Sequence, residues 1–299
     1  MERCASILGV GRMGSAIAER LAGAGFRLVL WNRTRSKAAE AAARLGAEVA
    51  DTPAEAARAC PSVHIVVADD EASMAVIAGP GGLLGLGRLE GVTVFNHTTV
   101  TPRHSVEAAG LVEAAGGVYV EAPVAGNPGN ARRGELVILC GARRGEHCNA
   151  PSLAALGEPV YLGEPPAGSA AKLGFNISFL GVVAALGEAF ALAEAYGVGW
   201  ERFAREVLGR TWLRGIVERY GHRLRPGGEA SFAARLAGKD ARYVQRALEE
   251  KGVPGFLAAA VAAYYALMEH EGLGDADYPS IAGFLARYAA EKGGREGRG

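Results

Sequence analysis

Lys172 and Asn176 stand four residues apart at the start of an apolar, proline-free run over residues 173–187. The run predicts a helix, and side chains four residues apart on a helix lie on one face, so both can contact the same small molecule. A buried ammonium without a partner loses its proton or finds a ligand, which suits a residue that transfers protons. The alternative is a lysine at a helix end whose ammonium reaches water, while Asn176 satisfies a neighbouring backbone group.

The stretch that carries this pair, residues 168–197, is predicted to form one long helix that is buried all round. Its apolar run lies between Lys172 and Glu188. That run is shorter than the roughly 20 apolar residues that a membrane helix needs. We therefore expect a helix inside a protein core and no membrane partner.

A glycine pattern follows the first apolar run of the chain. Residues 4–10 predict a strand, and a GxGxxG pattern beginning at Gly9 leads into a helical pattern that continues to Ala24. In dinucleotide-binding folds these glycines allow a tight turn, a close approach to the pyrophosphate and close packing of helix on strand, and the phosphates bind at the helix N-terminus. The predicted cofactor-binding residues of this turn are Gly9, Val10, Gly11, Arg12 and Met13.

The next predicted strand, residues 26–31, ends in a basic turn. Sites that prefer NAD place an acid about 20 residues after the glycines, and this chain has none there. Arg33 can form charge-assisted bonds with a 2′-phosphate, and Thr34 can donate a hydroxyl. We therefore expect NADP, bound in part by Asn32, Arg33 and Thr34. The alternative is an ordinary solvated basic turn.

Strands and helices continue to alternate as far as residue 164. Loops after the carboxyl ends of parallel strands line the ligand crevice of an open sheet, so the loop Val67, Ala68 and Asp69 joins the predicted cofactor site. His97, in the next such loop, is predicted to be a hydrogen-bonded spacer rather than a titrating group. A strand from Val118 then runs into a glycine-containing turn whose backbone N–H groups could hold a carboxylate.

The composition limits the class of protein and its partners. The chain has 299 residues, 49% of them hydrophobic, which suits two globular domains. Basic and acidic residues balance at 32 each, so no overall field favours nucleic acid or an anionic membrane surface. Four cysteines without a CxxC pair or a regular framework, and an N-terminus without a leader, favour the reducing cytoplasm. The histidines show no metal-ligand spacing, and we expect no metal.

The chain resembles the β-hydroxyacid dehydrogenase family, which includes 3-hydroxyisobutyrate dehydrogenase and the glyoxylate and succinic semialdehyde reductases. Four motifs carry the resemblance: the glycine pattern, residues 122–126 leading to Gly134, Gly168 through Lys172 to Asn176, and Lys239-Asp240. The fold class that we expect is an α/β N-terminal Rossmann-type dinucleotide-binding domain plus an all-α C-terminal domain, joined by a long interdomain helix. The expected parts are residues 1–164, the helix 165–197, the helical domain 198–290 and a mobile tail 291–299.

The resemblance also implies residue roles. Lys172 corresponds to the family's acid/base lysine, and Asn176 to the asparagine that helps to hold the substrate. Thr99 and Lys239 correspond to residues beside the cofactor. The implied substrate-binding residues are Ala125, Gly126, Asn127 and Phe232. Most members carry serine at the position of Ala125, and glycine or serine at that of Asn127, so the sequence does not name the substrate.

These residues predict an NADP(H)-dependent oxidoreductase that transfers hydride between nicotinamide and a small β-hydroxyacid or aldehyde acid, with Lys172 as general acid or base. To act as a base near neutrality, the lysine pKa of about 10.4 would have to fall. One alternative is an NADPH-dependent imine reductase, although those enzymes usually carry another residue at the position of Lys172. An alternative of another class is a non-catalytic NADP-binding oligomerisation module. The expected partners are a small carboxylate substrate and further copies of the chain, as a homodimer or homotetramer.

Overall fold

The computed structural model describes residues 3–225, 227 and 230–296. The packing of the chain divides it into two compact units, Met1–Gly174 and Phe175–Gly299. Each unit has a hydrophobic core of its own: alternate residues of one sheet face two cores in the first unit, and helices enclose a third core in the second.

The first unit contains a nine-stranded, mainly parallel sheet. Its strands are β1 (Cys4–Leu8), β2 (Arg27–Trp31), β3 (Glu48–Val49), β4 (Ser62–Ile65), β5 (Thr93–Asn96), β6 (Val118–Glu121), β7 (Val124–Ala125), β8 (Leu136–Gly141) and β9 (Gly157–Gly163). The order is β3-β2-β1-β4-β5-β6-β8-β7, and β9 pairs with β8. Strands β1 to β6 are parallel, and β8 runs antiparallel to β6 and β7. The 3-2-1-4-5-6 order confirms the predicted Rossmann-type fold.

Helices connect these strands and cover both faces of the sheet. They are α1 (Arg12–Gly23), α2 (Arg35–Leu45), α3 (Pro53–Ala59), α4 (Asp70–Ala78), α5 (Pro102–Ala114), α6 (Pro128–Arg133) and α7 (Pro151–Leu156), with 3₁₀ turns at Leu83–Leu86 and Gly145–Asn149. Neighbouring residues of β1 show why both faces are covered. Ile7 and Leu8 are each fully buried, and they belong to cores on opposite faces.

The second unit is helical, as predicted. A long helix, α8 (Ala167–Ala195), begins in the first unit, and α9 (Trp200–Arg202), α10 (Arg214–Tyr220), α11 (Ala234–Glu249), α12 (Phe256–His270) and α13 (Ile281–Glu296) follow it. Within the part of this unit that the structure describes, the only β pairing is an isolated bridge between Ala233 and Asp277. Helix α13 continues past residue 290; the mobility of the tail stays a prediction, and residues 297–299 lie outside the described residues.

Helix α8 corrects two expectations about the central stretch. It has 29 residues and is long and apolar enough to cross a membrane by length and composition alone, so the argument from its length was wrong. Core helices of soluble proteins pass the same test. The helix is also not buried all round, because one stripe faces outward. That stripe includes Phe175, Val182 and Leu192, which are 45%, 36% and 62% exposed.

The cysteines correct a third expectation. All four are paired, as Cys4–Cys60 and Cys140–Cys148, across sequence separations of 56 and 8 residues. The first pair joins the start of β1 to the residue after α3, and the second joins β8 to a 3₁₀ turn. Spacing along the chain did not indicate these bonds, because the folded sheet brings their partners together. Disulfides are rare in a reducing cytoplasm, so they weaken the argument that favoured that compartment.

Candidate active site

The glycine turn between β1 and α1 has the shape that a dinucleotide requires. A Cβ atom on Gly14 would lie 1.9 Å from the carbonyl oxygen of Gly9, so only glycine lets α1 start this close to β1. No atom lies within 4 Å of the corresponding position on Gly11, which leaves open space above the turn among the described residues. The N-terminus of α1 has no side-chain cap and no acid in its first turn. These features fit a bound pyrophosphate.

The end of β2 is tied to this turn by Asn32. Its Oδ1 accepts the backbone N–H of Val10 at 3.1 Å, and its Nδ2 donates to the carbonyl of Thr34 at 3.0 Å. The amide of Asn32 thus ties the residues after β2 to the glycine turn. Arg33 is exposed and has no hydrogen bond or ion pair to any described residue, whereas Arg35 pairs with Asp51 at 2.8 Å. Arg33 is therefore the guanidinium available to an anion here.

The hydroxyl of Thr34 is also available, because it makes no capping bond at the start of α2. A guanidinium, a hydroxyl and a helix N-terminus with no acid in its first turn thus stand together after β2. Such a group of donors fits a 2′-phosphate.

The loops after β4 and β5 are hydrogen-bonded to one another. The backbone N–H of Val67 donates to Thr98 Oγ1 at 3.2 Å, and the N–H of Thr98 donates to Asn96 Oδ1 at 3.1 Å. Asp69 caps α4 by accepting the N–H of Ala72 at 2.8 Å, so its carboxylate is engaged. Thr99 lies at the same edge of the sheet, half-buried.

The residues Ala125, Gly126 and Asn127 form a turn after β7, called here the 125–127 turn. Gly126 has φ +142°, and a Cβ atom there would lie 2.7 Å from Leu136 Cδ2, so the position requires glycine. Asn127 and Asn130 cap α6 reciprocally, and the N–H of Asn127 donates to Asn130 Oδ1 at 3.0 Å. That N–H is engaged in the cap, which leaves Gly126 as the better candidate donor to a carboxylate. The capping role explains why residue 127 carries a side chain that can accept a hydrogen bond.

Glu121 holds the first turn of α8. Its buried carboxylate accepts the backbone N–H groups of Gly168 and Ser169, at 2.8 and 2.9 Å, and the hydroxyl of Ser105 at 2.6 Å. A carboxylate at a helix N-terminus is favoured by the helix dipole. Lys172, half-buried, follows within the next turn. Sequence reasoning missed Glu121, although an acid at the end of a buried strand is unusual enough to have indicated a capping role.

In the second unit, Asn176 and Asp240 are both 1% exposed and are joined by a hydrogen bond from Nδ2 to Oδ2 of 2.5 Å. Because an ionised carboxylate only accepts, this bond fixes the orientation of the amide. The other oxygen of Asp240 lies 3.0 Å from Lys239 Nζ, an ion-pair distance, although the contact is not aligned as a hydrogen bond. The carbonyl oxygen of Asn176 is buried and has no hydrogen-bond donor among the described residues.

Phe232 is held by Asp277 and Tyr278. Its N–H donates to Asp277 Oδ1 at 3.2 Å, its carbonyl accepts the N–H of Tyr278 at 3.0 Å, and its ring packs edge-on against that of Tyr278. Asp277 also pairs with Arg223 at 2.7 Å. The position of Phe232 in the second unit is therefore well fixed.

Two family models cover most of the chain. Residues 5–163 match the model described as the NAD binding domain of 6-phosphogluconate dehydrogenase, and residues 166–285 match that described as the NAD-binding of NADP-dependent 3-hydroxyisobutyrate dehydrogenase. The chain belongs to the β-hydroxyacid dehydrogenase family. It is therefore an oxidoreductase with an NAD(P)-binding domain.

Relatives and solved structures agree with this family membership. The chain is 28% identical to glyoxylate/succinic semialdehyde reductase 1 of Arabidopsis thaliana over 277 residues, 92% of this chain and 95% of that protein. It is 34% identical over 194 residues to the cytokine-like nuclear factor N-PAC of Xenopus tropicalis, which covers 64% of this chain but 36% of that protein.

Two solved structures share the fold. A 3-hydroxyisobutyrate dehydrogenase of Mycobacterium tuberculosis, crystallised with L-serine, has a TM-score of 0.78 at 22% identity, over 95% of this dehydrogenase and 99% of that chain. An imine reductase from Pseudomonas sp. has a TM-score of 0.62 at 26% identity, over 96% of this chain and 100% of its own.

Proposed function

We propose that this dehydrogenase uses NADP(H) to interconvert a small carboxylate-bearing aldehyde or ketone and its hydroxyacid, of the glyoxylate, succinic semialdehyde or 3-hydroxyisobutyrate type. The observation that carries the proposal is the buried carbonyl oxygen of Asn176, which has no donor among the described residues and stands one helical turn after Lys172. A buried acceptor without a donor is costly, and the hydroxyl of a hydroxyacid would supply the missing donor.

The chain's own residues then divide the work. NADPH, when bound, would supply the hydride that reduces the carbonyl carbon. Lys172 donates a proton to the carbonyl oxygen as it becomes an alkoxide, and in the reverse direction it removes the proton from the hydroxyl. Asn176, fixed by Asp240, accepts from that hydroxyl. The 125–127 turn, through the backbone at Gly126, binds the carboxylate, and Phe232 stays a predicted substrate-binding residue of the second unit.

NADP is the proposed cofactor because Arg33 and Thr34 can donate hydrogen bonds to an anion after β2, and no acidic residue lies there. The glycine turn would hold the pyrophosphate, and Val67, Ala68, Asp69 and Thr99 would line the rest of the site in the first unit. Lys239 of the second unit stays a predicted cofactor-binding residue. The similarity to glyoxylate and succinic semialdehyde reductase 1 supports substrates of the type in that protein's name.

Two other functions remain candidates, each with an observation of its own. The similarity to an imine reductase favours reduction of a C=N bond. Lys172 argues against this function, because imine reductases usually carry another residue at that position. The similarity to N-PAC, whose name describes a nuclear factor, favours a non-catalytic NADP-binding module.

A screen of NADPH oxidation separates these functions. Glyoxylate, succinic semialdehyde, other short ketoacids and a cyclic imine are tested as acceptors, and 3-hydroxyisobutyrate is tested with NADP⁺ in the reverse direction. Turnover of a carboxylate substrate supports the proposal. Turnover of the imine alone supports imine reduction. Tight NADPH binding without turnover of any compound supports the binding module.

We also propose that the protein forms homo-oligomers. The outward stripe of α8 includes Phe175, Val182 and Leu192, and a second copy of the chain would cover this apolar surface. Light scattering on the purified protein measures the mass directly, and a monomer would contradict the proposal. The cytoplasm is the compartment that the sequence favours, whereas the two disulfides favour an oxidising compartment. A count of free thiols in protein taken directly from cells decides between them: four free thiols would support the cytoplasm, and none would support an oxidising compartment.

A further inference from the structure

Two buried histidines form a hydrogen-bonded chain that ends beside the 125–127 turn. His97 Nδ1 lies 2.8 Å from the carbonyl oxygen of Ala122, and His97 Nε2 lies 2.8 Å from His64 Nδ1. His64 Nε2 in turn lies 3.4 Å from Ser62 Oγ. His64 and His97 are 0% and 5% exposed, and their ring planes are 6° apart.

The carbonyl at the end of the chain fixes the direction of every bond. A carbonyl oxygen only accepts, so His97 carries its proton on Nδ1 and donates it to Ala122. Its Nε2 is then an acceptor, and His64 must carry its own proton on Nδ1. His64 Nε2 is left to accept from the hydroxyl of Ser62. With both imidazoles neutral, all four ring nitrogens have partners.

The carbonyl of Ala122 needs this donor because the parallel ladder ends beside it. Strand β6 stops at Glu121, and the N–H of Thr98, which would be the next donor of the ladder, donates to Asn96 Oδ1 instead. His97, which follows β5, supplies the donor from the neighbouring strand. Burial lowers the pKa of His97 to about 4, so the imidazole stays neutral at physiological pH.

A short and stiff segment connects this carbonyl to the 125–127 turn. The proline ring restricts φ at Pro123, whose carbonyl accepts the N–H of Leu139 at 2.8 Å. Val124 and Ala125 pair with β8 directly afterwards. Because this segment is short and stiff, a displacement at Ala122 is transmitted to the turn.

We propose that His97, with His64 behind it, is a positioning residue that sets the 125–127 turn at the distance needed to bind the substrate carboxylate. The proposal deepens the proposed function and rests on it for the identity of the ligand. Neither histidine transfers a proton to the substrate. They act through Ala122.

The first test uses three variants and no substrate. His97→Leu removes the donor to Ala122, His97→Asn keeps an amide that can donate and accept, and Ile77→Val is a control, because Ile77 is fully buried in a core on the opposite face of the sheet. Hydrogen exchange is followed by mass spectrometry in a peptide covering residues 122–134. We expect exchange about tenfold faster in His97→Leu, near wild type in His97→Asn, and unchanged in Ile77→Val. Equal exchange in His97→Leu and Ile77→Val overturns the proposal, whether or not a substrate is found.

The second test uses whichever carboxylate substrate the screen identifies. For His97→Leu we expect KM for that substrate to rise about tenfold or more, while KM for NADPH stays within about twofold of wild type. His97→Asn should recover most of the loss. A merely structural histidine would lower the melting temperature and leave KM for the substrate unchanged, and that result overturns the proposal.

A third measurement determines which ring nitrogen of His64 and His97 carries the proton, and therefore which atom donates in each hydrogen bond. Two-bond ¹H–¹⁵N spectra of the labelled protein near neutral pH should show both imidazoles neutral with the proton on Nδ1. An Nε2–H form of His97 would overturn the assignment, since it could not donate to Ala122. If no carboxylate substrate is turned over but exchange and tautomers are as expected, the proposed function fails and the positioning of the turn stands.

Discussion

Glu121 accepts the backbone N–H of Ser169 at 2.9 Å, and this bond fixes the first turn of α8 to the end of β6. Ser169 precedes Lys172 by three residues, so the anchor lies within a turn of the proposed proton donor. The same strand leads into the 125–127 turn. The buried carboxylate of Glu121 therefore orders both the start of the segment proposed to bind the substrate and the start of the helix that carries Lys172.

Replacing Glu121 by alanine should destabilise the protein markedly. The change leaves the Ser105 hydroxyl and two backbone N–H groups buried without their acceptor, which is expected to lower the free energy of unfolding by about 2–4 kcal/mol. Urea denaturation at neutral pH measures it. Glu121→Gln, which keeps one carbonyl acceptor, should lose less, and Ser105→Ala, which leaves both N–H groups bonded, should lose about 1 kcal/mol. A Glu121→Ala protein as stable as wild type would show that the cap contributes nothing.

Replacing Lys172 by alanine should lower kcat by about 10²- to 10⁴-fold, the usual contribution of a positioned acid or base. NADPH binding, followed by fluorescence titration, should be unchanged. Lys172→Arg should be similarly inactive, because arginine keeps the charge but does not give up its proton. The exposed Lys251→Ala serves as the control. Wild-type turnover in Lys172→Ala would remove the lysine from the mechanism.

The sequence predicted those features that local patterns determine. The glycine turn, the alternation that gives the parallel sheet and the helical second unit follow from periodicity and from residue types with few allowed conformations. The reciprocal cap of Asn127 and Asn130 was also readable, since an asparagine followed by proline at the first helical position is a helix start.

Contacts between residues that are far apart in the sequence could not be predicted from local patterns. Asn176 meets Asp240 across 64 residues, His64 meets His97 across 33, and Cys4 meets Cys60 across 56. None of these pairs has a spacing that a helix or a hairpin would impose. They become neighbours only when strands that are distant in sequence are ordered in the sheet, or when α11 packs near α8.

Replacing Arg33 by alanine should weaken the binding of NADPH far more than the binding of NADH. A charge-assisted bond to a phosphate contributes about 1.5–3 kcal/mol, so Kd for NADPH should rise about 10- to 150-fold, whereas Kd for NADH should change little. Arg35→Ala is the matched control, since that guanidinium is paired with Asp51. Equal losses for both cofactors, measured by calorimetry, would remove the reason for preferring NADP.

Reduction of the two disulfides should lower the stability of the protein. In the chain-entropy model, a bond across 56 residues contributes about 4 kcal/mol and one across 8 residues about 2.5 kcal/mol. Thermal unfolding with and without a thiol reductant measures the combined effect. Cys4→Ser and Cys140→Ser separate the two bonds, and the larger loss should come from Cys4→Ser. Titration of thiols in the denatured, unreduced protein should find none, and four free thiols would contradict the pairing.

Lowering the pH should destabilise the protein through His64 and His97. Burial lowers the pKa of both, to about 4 for His97, and the proximity of His97 lowers the pKa of His64 further. The unfolded chain, with a histidine pKa of about 6.5, binds protons that the folded chain excludes. This contribution to stability is therefore fully present above about pH 6.5 and is lost as the pH falls toward about 4, with a slope of about 1.4 kcal/mol per pH unit for each histidine.

Urea midpoints measured from about pH 7.5 down to about pH 4.5 test this dependence. The carboxylates and His104, whose pKa burial also lowers, titrate over part of the range, so the informative quantity is the difference from a His64→Phe, His97→Leu double variant. The double variant should start less stable, because the carbonyl of Ala122 loses its donor, and should lose less stability as the pH falls. The two curves should therefore converge in acid. Parallel curves between about pH 6.5 and pH 5 would mean that these histidines take up protons as readily when folded as when unfolded, and the neutral hydrogen-bonded chain would then be excluded.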